Sequence, residues 1–243
     1  MLEPGEVSDD GQVRIAGVRA GHVLNVLKAR QGQEVRVGVL DGPRGVATVE
    51  AVEDGAVRMR CAFAPELPPR PRLDLLLALP RPKVMRRLWA QLAALGVGRI
   101  ILTNAERVER NYFDTHVLSP DCYRPLLVEG LQQAKDTRLP QVSIHRQFKV
   151  LVEDHLESLF PSGLRIVAHP GAASSLREAM PSCLEDRILL AVGPEGGWNA
   201  FELALLQSHG FRAAGMGPRT LRTDTACVAL LSLVNDMKRD GSE

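Results

Sequence analysis

Four prolines in seven residues, Pro65-Glu66-Leu67-Pro68-Pro69-Arg70-Pro71, divide this chain, and the apolar residues follow a different rhythm on each side of them. Proline fixes φ and offers no N–H, so such a run fits neither a helix interior nor a central strand and reads as a stiff connector. Before it, Val35, Val37 and Val39 alternate with polar residues, Val46-Ala47-Thr48-Val49 follows, and Val57, Met59, Cys61 and Phe63 alternate again. That period of two is the mark of half-buried strands. Turn chemistry separates them at Asp41-Gly42-Pro43-Arg44-Gly45 and Glu53-Asp54-Gly55. The predicted unit over 1–67 is a small β-barrel-like domain with one helix around His22 to Ala29.

After the prolines, strands and helices alternate. Leu73 to Leu79 is a buried strand, with Val84, Leu88, Leu92 and Leu95 at helical spacing behind it and Gly96 as the stop. Arg99 to Leu102 is the next strand; helices are expected into Gln132-Gln133 and over roughly Val150 to Phe160. Strands recur at Arg165 to Ala168, Ile188 to Val192 and Phe211 to Gly215. This alternation predicts an α/β domain over 72–243 with a mostly parallel sheet. Asn199 and Glu202 have capping-box spacing, and Gly210 sits where a left-handed residue after a helix belongs.

A length of 243 residues suffices for two cores, and 45% hydrophobic with 24% charged residues is ordinary for a globular protein. No apolar run is long enough to span a bilayer and the acidic start is not a secretion signal, so a cytoplasmic protein without membrane contact is expected. Cys61, Cys122, Cys183 and Cys227 are scattered without C-x-x-C spacing, which suggests neither a zinc site nor a disulfide framework. A net charge of +1 gives no overall signature of nucleic-acid binding. Locally, Arg70, Arg72, Arg81, Lys83, Arg86, Arg87, Arg99, Arg107 and Arg110 outnumber Asp74, Glu106 and Glu109, and this stretch is either a phosphate-facing patch or a solvated face.

Chemistry concentrates in three loops that end strands. Val192-Gly193-Pro194-Glu195-Gly196-Gly197-Trp198-Asn199 joins a buried strand to a capped helix. Met216 to Ala226 follows the last strand and runs into an apolar helix from Cys227 to Val234, with Thr223 as a cap and Asp224 at the positive end. His169-Pro170-Gly171 closes a third strand. Loops at the carboxyl ends of parallel strands form the ligand crevice of open α/β sheets, although each is also an acceptable tight turn. Neither G-x-G-x-x-G nor the Lys-Ser/Thr ending of a P-loop is present, which removes the main support for a dinucleotide-dependent dehydrogenase or an NTPase.

Gly193-Pro194-Glu195-Gly196-Gly197 followed by Gly217-Pro218-Arg219-x-Leu221-Arg222-Thr223-x-Thr225-Ala226 resembles the paired signature of the ribosomal small subunit methyltransferase E family. Further similarity lies in His22 to Gly32, Gly96-Val97, and Glu129, Gln133, Arg138 and Pro140. The chain departs from the family at Gln91 and Ala94, where Lys and Glu are usual, and at Lys28 and Asp136, where Arg is usual. The resemblance implies a PUA-like N-terminal barrel and a C-terminal SPOUT domain with a deep trefoil knot. It also implies an S-adenosyl-L-methionine-dependent enzyme, working without metal, that methylates N3 of a uridine in 16S ribosomal RNA or the small subunit.

What the resemblance implies for the site is specific. The cofactor would lie against His169, Pro170 and Gly171, against Gly193, Pro194, Glu195 and Gly196, and against Met216, Gly217, Leu221, Arg222, Thr225 and Ala226. Arg222 is the main catalytic candidate, because a fixed guanidinium can stabilise a developing uridine anion. Glu195 and Asp224 are candidate proton acceptors. His22, Lys28, Arg30, Arg86, Arg87 and Arg107 are expected RNA contacts that position phosphates. The helix carrying Cys227, Leu230, Leu231 and Val234 is expected to be core or the interface of a homodimer. Two alternatives remain at this point: a SPOUT methyltransferase with another RNA target, and an RNA-binding assembly factor without catalysis.

Overall fold

The computed structural model describes residues 1–180 and 187–240, the last three by backbone alone. Cys183 lies outside the described residues. The chain forms two compact units, Met1–Arg70 with Leu131–Leu139, and Pro71–Gly130 with Pro140–Glu243.

The first unit is built on an antiparallel sheet of β1 (Gln12–Ile15), β2 (Glu34–Gly38), β3 (Arg44–Glu53) and β4 (Ala56–Phe63), in the order β1-β4-β3-β2. The alternation in the sequence puts Val13, Ile15, Val35, Ala47, Val49, Val57 and Met59 into one core, where Ala20 and Val23 join them. Asp41 and Asp54 adopt positive φ in the turns, as short polar side chains at such positions often do. The expected helix at His22 to Ala29 is displaced. It begins as α1 (Gly17–Gly21), continues as a π turn over His22–Val26, and is followed by left-handed Lys28 at φ +53°. Strand β1 was not anticipated, because four residues of alternation give too short a pattern to read.

Residues 131–139 belong to this unit although 60 residues separate them from its other end. Thr137 donates its hydroxyl to the Gly42 carbonyl at 2.7 Å, Asp41 N–H donates to the Thr137 carbonyl at 2.8 Å, and Arg138 donates to the carbonyls of Asp41, at 3.0 Å, and Pro68. Asp136 accepts the N–H of Thr137 at 2.7 Å, so the residue that departs from the family pattern shapes this turn.

The second unit alternates as expected, from β5 (Leu73–Ala78), α2 (Pro82–Ala94) and β6 (Arg99–Thr103) through α3 (Pro120–Ala134), whose last four residues count with the first unit, to β7 (Gln141–His145). The short helices α4 (Phe148–Val150) and α5 (Leu156–Leu159), β8 (Leu164–Ala168), α6 (Leu176–Ala179), β9 (Ile188–Val192), α7 (Ala200–Ser208), β10 (Phe211–Ala214) and α8 (Thr223–Asp240) complete it. All strand pairs are parallel, in the order β10-β8-β9-β5-β6-β7. Central strands β5 and β9 are buried on both faces, which is why they read as unbroken apolar runs. The exception is Asp74, fully buried and held by Arg187 at 2.7 Å; burial pushes its carboxyl up and the guanidinium opposes that shift. Edge strand β7 was missed although Val142 and Ile144 alternate with polar neighbours, since five residues carrying two apolar side chains are again too short a pattern to read.

Helix α8 starts at Thr223 itself, four residues before the apolar run, so Thr223 is its first residue rather than its cap. Cys227, Leu230, Leu231 and Val234 are buried within the unit as core, and burial pushes the Cys227 thiol up to about 12. Asn235 donates to the Leu95 carbonyl at 2.7 Å, joining α8 to the end of α2. Among the described residues no helix is long and apolar enough to cross a membrane, and no group of three or more His, Cys, Asp or Glu is placed to hold a metal.

Candidate active site

The strand order sets β10, β8 and β9 side by side, so the loops after Ala214, Ala168 and Val192 emerge next to one another at one sheet edge. They enclose a cavity of about 360 Å³, a size within the range of small-molecule sites. Of the residues expected there, His169, Pro170, Gly193, Pro194, Glu195, Gly196, Met216, Gly217, Leu221 and Ala226 line it. Gly171, Arg222, Asp224 and Thr225 do not.

The loop after β9 is held from several directions. Gly197 N–H donates to the Pro194 carbonyl at 2.8 Å, and Glu195 Oε1 accepts the N–H of Arg81, at the start of α2, at 3.1 Å. Glu195 is thus a brace between two strand-end loops. Asn199 and Glu202 form the expected capping box, each side chain accepting the other's backbone N–H at 2.8 Å. The second oxygen of Glu202 accepts the N–H of Glu106 at 2.7 Å, which draws in the loop after β6. From that loop Arg107 donates to the Gly196 carbonyl. A Cβ on Gly196 would come within 2.8 Å of the Arg107 side chain, so close packing accounts for glycine here.

The other two loops are simpler. His169 Nδ1 accepts the N–H of Gly171 at 3.1 Å, making the histidine a turn residue whose ring orientation is set by the backbone. In the loop after β10, Gly217 sits at φ +113°, a conformation closed to most side chains. Arg222 is exposed, and its carbonyl accepts the N–H of Ala226 at 2.7 Å in the first turn of α8. Asp224 uses one oxygen for Arg87, at 3.0 Å, and the other for the N–H of Thr225, at 2.9 Å.

Trp198, Arg107, Gly215, Arg219, Thr220, Thr223 and Leu230 also line the cavity but were not among the expected cofactor contacts. Trp198 packs on Phe148, with ring centroids 5.3 Å apart, and its buried indole N–H has no partner among the described residues. A flat apolar wall with an unused donor, beside loops rich in backbone polar groups, suits a nucleoside-like ligand. Trp198 was legible as the aromatic residue ending the glycine-rich loop; Arg107, distant in sequence, was not. All six expected RNA contacts, His22, Lys28, Arg30, Arg86, Arg87 and Arg107, are exposed, and Arg87 and Arg107 are in addition bonded to Asp224 and to the Gly196 carbonyl.

Comparison with known proteins adds to this geometry. Residues 67–235 match the model of a family described as RNA methyltransferase domain. The chain is 30% identical over 222 residues to ribosomal RNA small subunit methyltransferase E of Treponema pallidum, covering 88% of this chain and 80% of that one. It is 24% identical to ribosomal RNA small subunit methyltransferase E 1 of Borreliella burgdorferi, covering 89% of each. Among solved structures it superposes on ribosomal RNA small subunit methyltransferase E of Neisseria gonorrhoeae bound to S-adenosyl methionine with a TM-score of 0.77, at 20% identity, covering 97% of this chain and 96% of that one. A Legionella pneumophila methyltransferase in complex with SAM gives 0.75 at 24% identity, with the same coverage. These superpositions show an α/β methyltransferase fold with a parallel sheet. With seven-tenths of its length inside the domain match and a relative 30% identical over 88% of this chain, the chain belongs to the ribosomal RNA small subunit methyltransferase E family.

Proposed function

We propose that this protein is an S-adenosyl-L-methionine-dependent methyltransferase acting on N3 of a uridine in 16S ribosomal RNA, as free RNA or in the small subunit. The observation that carries the reading is the cavity formed by the three adjacent strand-end loops, which bear the family signature. Its residues fit the cofactor: Trp198 adds an aromatic wall whose buried N–H has no partner among the described residues, Gly196 lets the Arg107 stem pack flat against the loop, and Leu221 adds an apolar contact.

When bound, the cofactor supplies an electrophilic sulfonium methyl, and uridine N3 must lose its proton as the new bond forms. Arg222 does not line the cavity itself but stands between the lining residues Leu221 and Thr223 and is exposed, and its assigned role is to meet a base arriving from solvent and stabilise charge on O2 and O4. Glu195 is the better placed proton acceptor of the two carboxylates. Its Oε1 braces Arg81, and Oε2 has no partner among the described residues, whereas both oxygens of Asp224 are engaged. His22, Lys28, Arg30 and Arg86 would take phosphates, with the N-terminal sheet acting as a PUA-like RNA-binding domain. A SPOUT class membership, with its trefoil knot and twofold homodimer, and a cytoplasmic location complete the proposal.

The test is mass spectrometry of ribosomal RNA digests from cells with and without the protein. Loss of 3-methyluridine at one small-subunit position, restored by wild type and not by Arg222→Ala, is the expected result. An unchanged 3-methyluridine signal would sink the target assignment and favour another RNA. For the mechanism, Arg222→Ala should lower the single-turnover rate by about 100-fold or more with cofactor affinity little changed.

A further inference from the structure

Arg107 lies in a basic stretch and reads from the sequence as a phosphate contact. Its surroundings point elsewhere. The guanidinium donates to the Gly196 carbonyl, its aliphatic stem covers the face of Gly196 where a Cβ would sit, and the residue lines the cavity. Its backbone is anchored as well. The preceding residue, Glu106, gives its N–H to Glu202, only 3% exposed, and the other oxygen of that carboxylate caps α7 at Asn199. One buried carboxylate therefore fixes the start of the Arg107 loop and the end of the glycine-rich loop, and Arg107 closes the gap between them.

We propose that Arg107 is a positioning residue for the cofactor rather than a contact for RNA, with Glu202 as the anchor that holds it on Gly196. The inference rests on the cofactor reading above. Gly196 and Trp198 belong to one short loop, so a carbonyl held by Arg107 at one end and a helix cap held by Glu202 at the other fix the wall between. Released from Arg107, that wall can rearrange, and the ligand must then supply the ordering itself. The latch would lower the cofactor dissociation constant without adding any contact to RNA.

The experiment uses the full-length protein and three measurements: S-adenosylmethionine affinity by calorimetry, affinity for a 16S ribosomal RNA transcript across a salt series, and thermal unfolding. Arg107→Ala should weaken the cofactor by about tenfold, the usual scale for one charge-assisted hydrogen bond, and leave the RNA salt slope unchanged. Arg107→Lys keeps a donor and should recover part of the loss. Glu202→Gln should weaken the cofactor too, and the pair should be less than additive, because removing either member frees the same loop. If Glu202→Gln fails to fold, the exposed Arg107 variants still decide the matter.

Trp198 gives a second readout. The chain has two tryptophans, and Trp89 is buried with its N–H on the Val117 carbonyl. In a Trp89→Phe background, S-adenosylmethionine should shift the Trp198 emission, and adding Arg107→Ala should move the midpoint to higher concentration with the same end point. An unchanged cofactor affinity in Arg107→Ala overturns the proposal, and a salt slope lowered by about one would assign the residue to an RNA phosphate instead. Absence of cofactor binding in folded wild type would overturn the cofactor reading and this inference with it, and the wild type itself would show which had failed.

Discussion

Two loops carry the family signature, and they are built in opposite ways. Residues 193–199, after β9, are tied to the start of α2 through Glu195, to the loop after β6 through Arg107 and Glu202, and to α7 through the capping box. Residues 216–221, after β10, show no side-chain hydrogen bond among the described residues, yet Met216, Gly217, Arg219, Thr220 and Leu221 all line the cavity. One loop is committed to the protein and the other keeps its side chains for what binds. A preformed wall facing a wall with unused groups recognises a ligand at low ordering cost on one side and leaves room for adaptation on the other.

The sharpest way to break this comparison is to remove the shared anchor of the first loop. Glu202→Ala deletes a capping box and a further charge-assisted hydrogen bond, which together should cost about 2–3 kcal/mol of stability. For a chain of this size the unfolding midpoint should fall by about 4–12 °C. A loss near zero would mean that the loop is held by its backbone alone, and the contrast between the loops would disappear.

Gly217→Ala applies the complementary test to the second loop. At φ +113° a side chain is strained, although a Cβ there would meet no atom within 4 Å. The cost should be about 1 kcal/mol, the low end for such strain, since a loop without side-chain tethers can relax. A cost of about 3 kcal/mol, read from chemical denaturation, would reveal constraints that the hydrogen bonds do not show. Any fall in cofactor affinity should exceed the fall in stability, because relaxation moves the cavity wall.

The difference between the loops also explains what could be read from the sequence. Buried parallel strands such as β5 and β9 announce themselves as apolar runs, and the capping box at Asn199 and Glu202 is a local pattern, so the parallel sheet and the glycine-rich loop were legible. The family signature brought most of the cavity lining with it. The Arg107 contact with Gly196, the return of residues 131–139 to the first unit and the Arg87–Asp224 pair were not legible, because each joins residues far apart in the chain and depends on how the elements meet. Strands β1 and β7 escaped for another reason: each is so short that its alternation, Val13 with Ile15 and Val142 with Ile144, rests on two apolar residues.

Arg219→Ala is the mildest change and the most direct test of the claim that the second loop reserves its side chains. Arg219 is exposed, lines the cavity and has no ion pair among the described residues, so truncation should leave stability within about 0.5 kcal/mol of wild type. If its guanidinium is used on the ligand, losing one charge-assisted hydrogen bond should raise the cofactor dissociation constant about tenfold. Calorimetry and thermal unfolding on the same preparation separate the two effects. A stability loss above about 1 kcal/mol would place Arg219 among the structural ties, like Arg107 on the other loop. Unchanged affinity and unchanged stability together would reduce residues 216–221 to a spacer, and recognition would then rest on the braced loop alone.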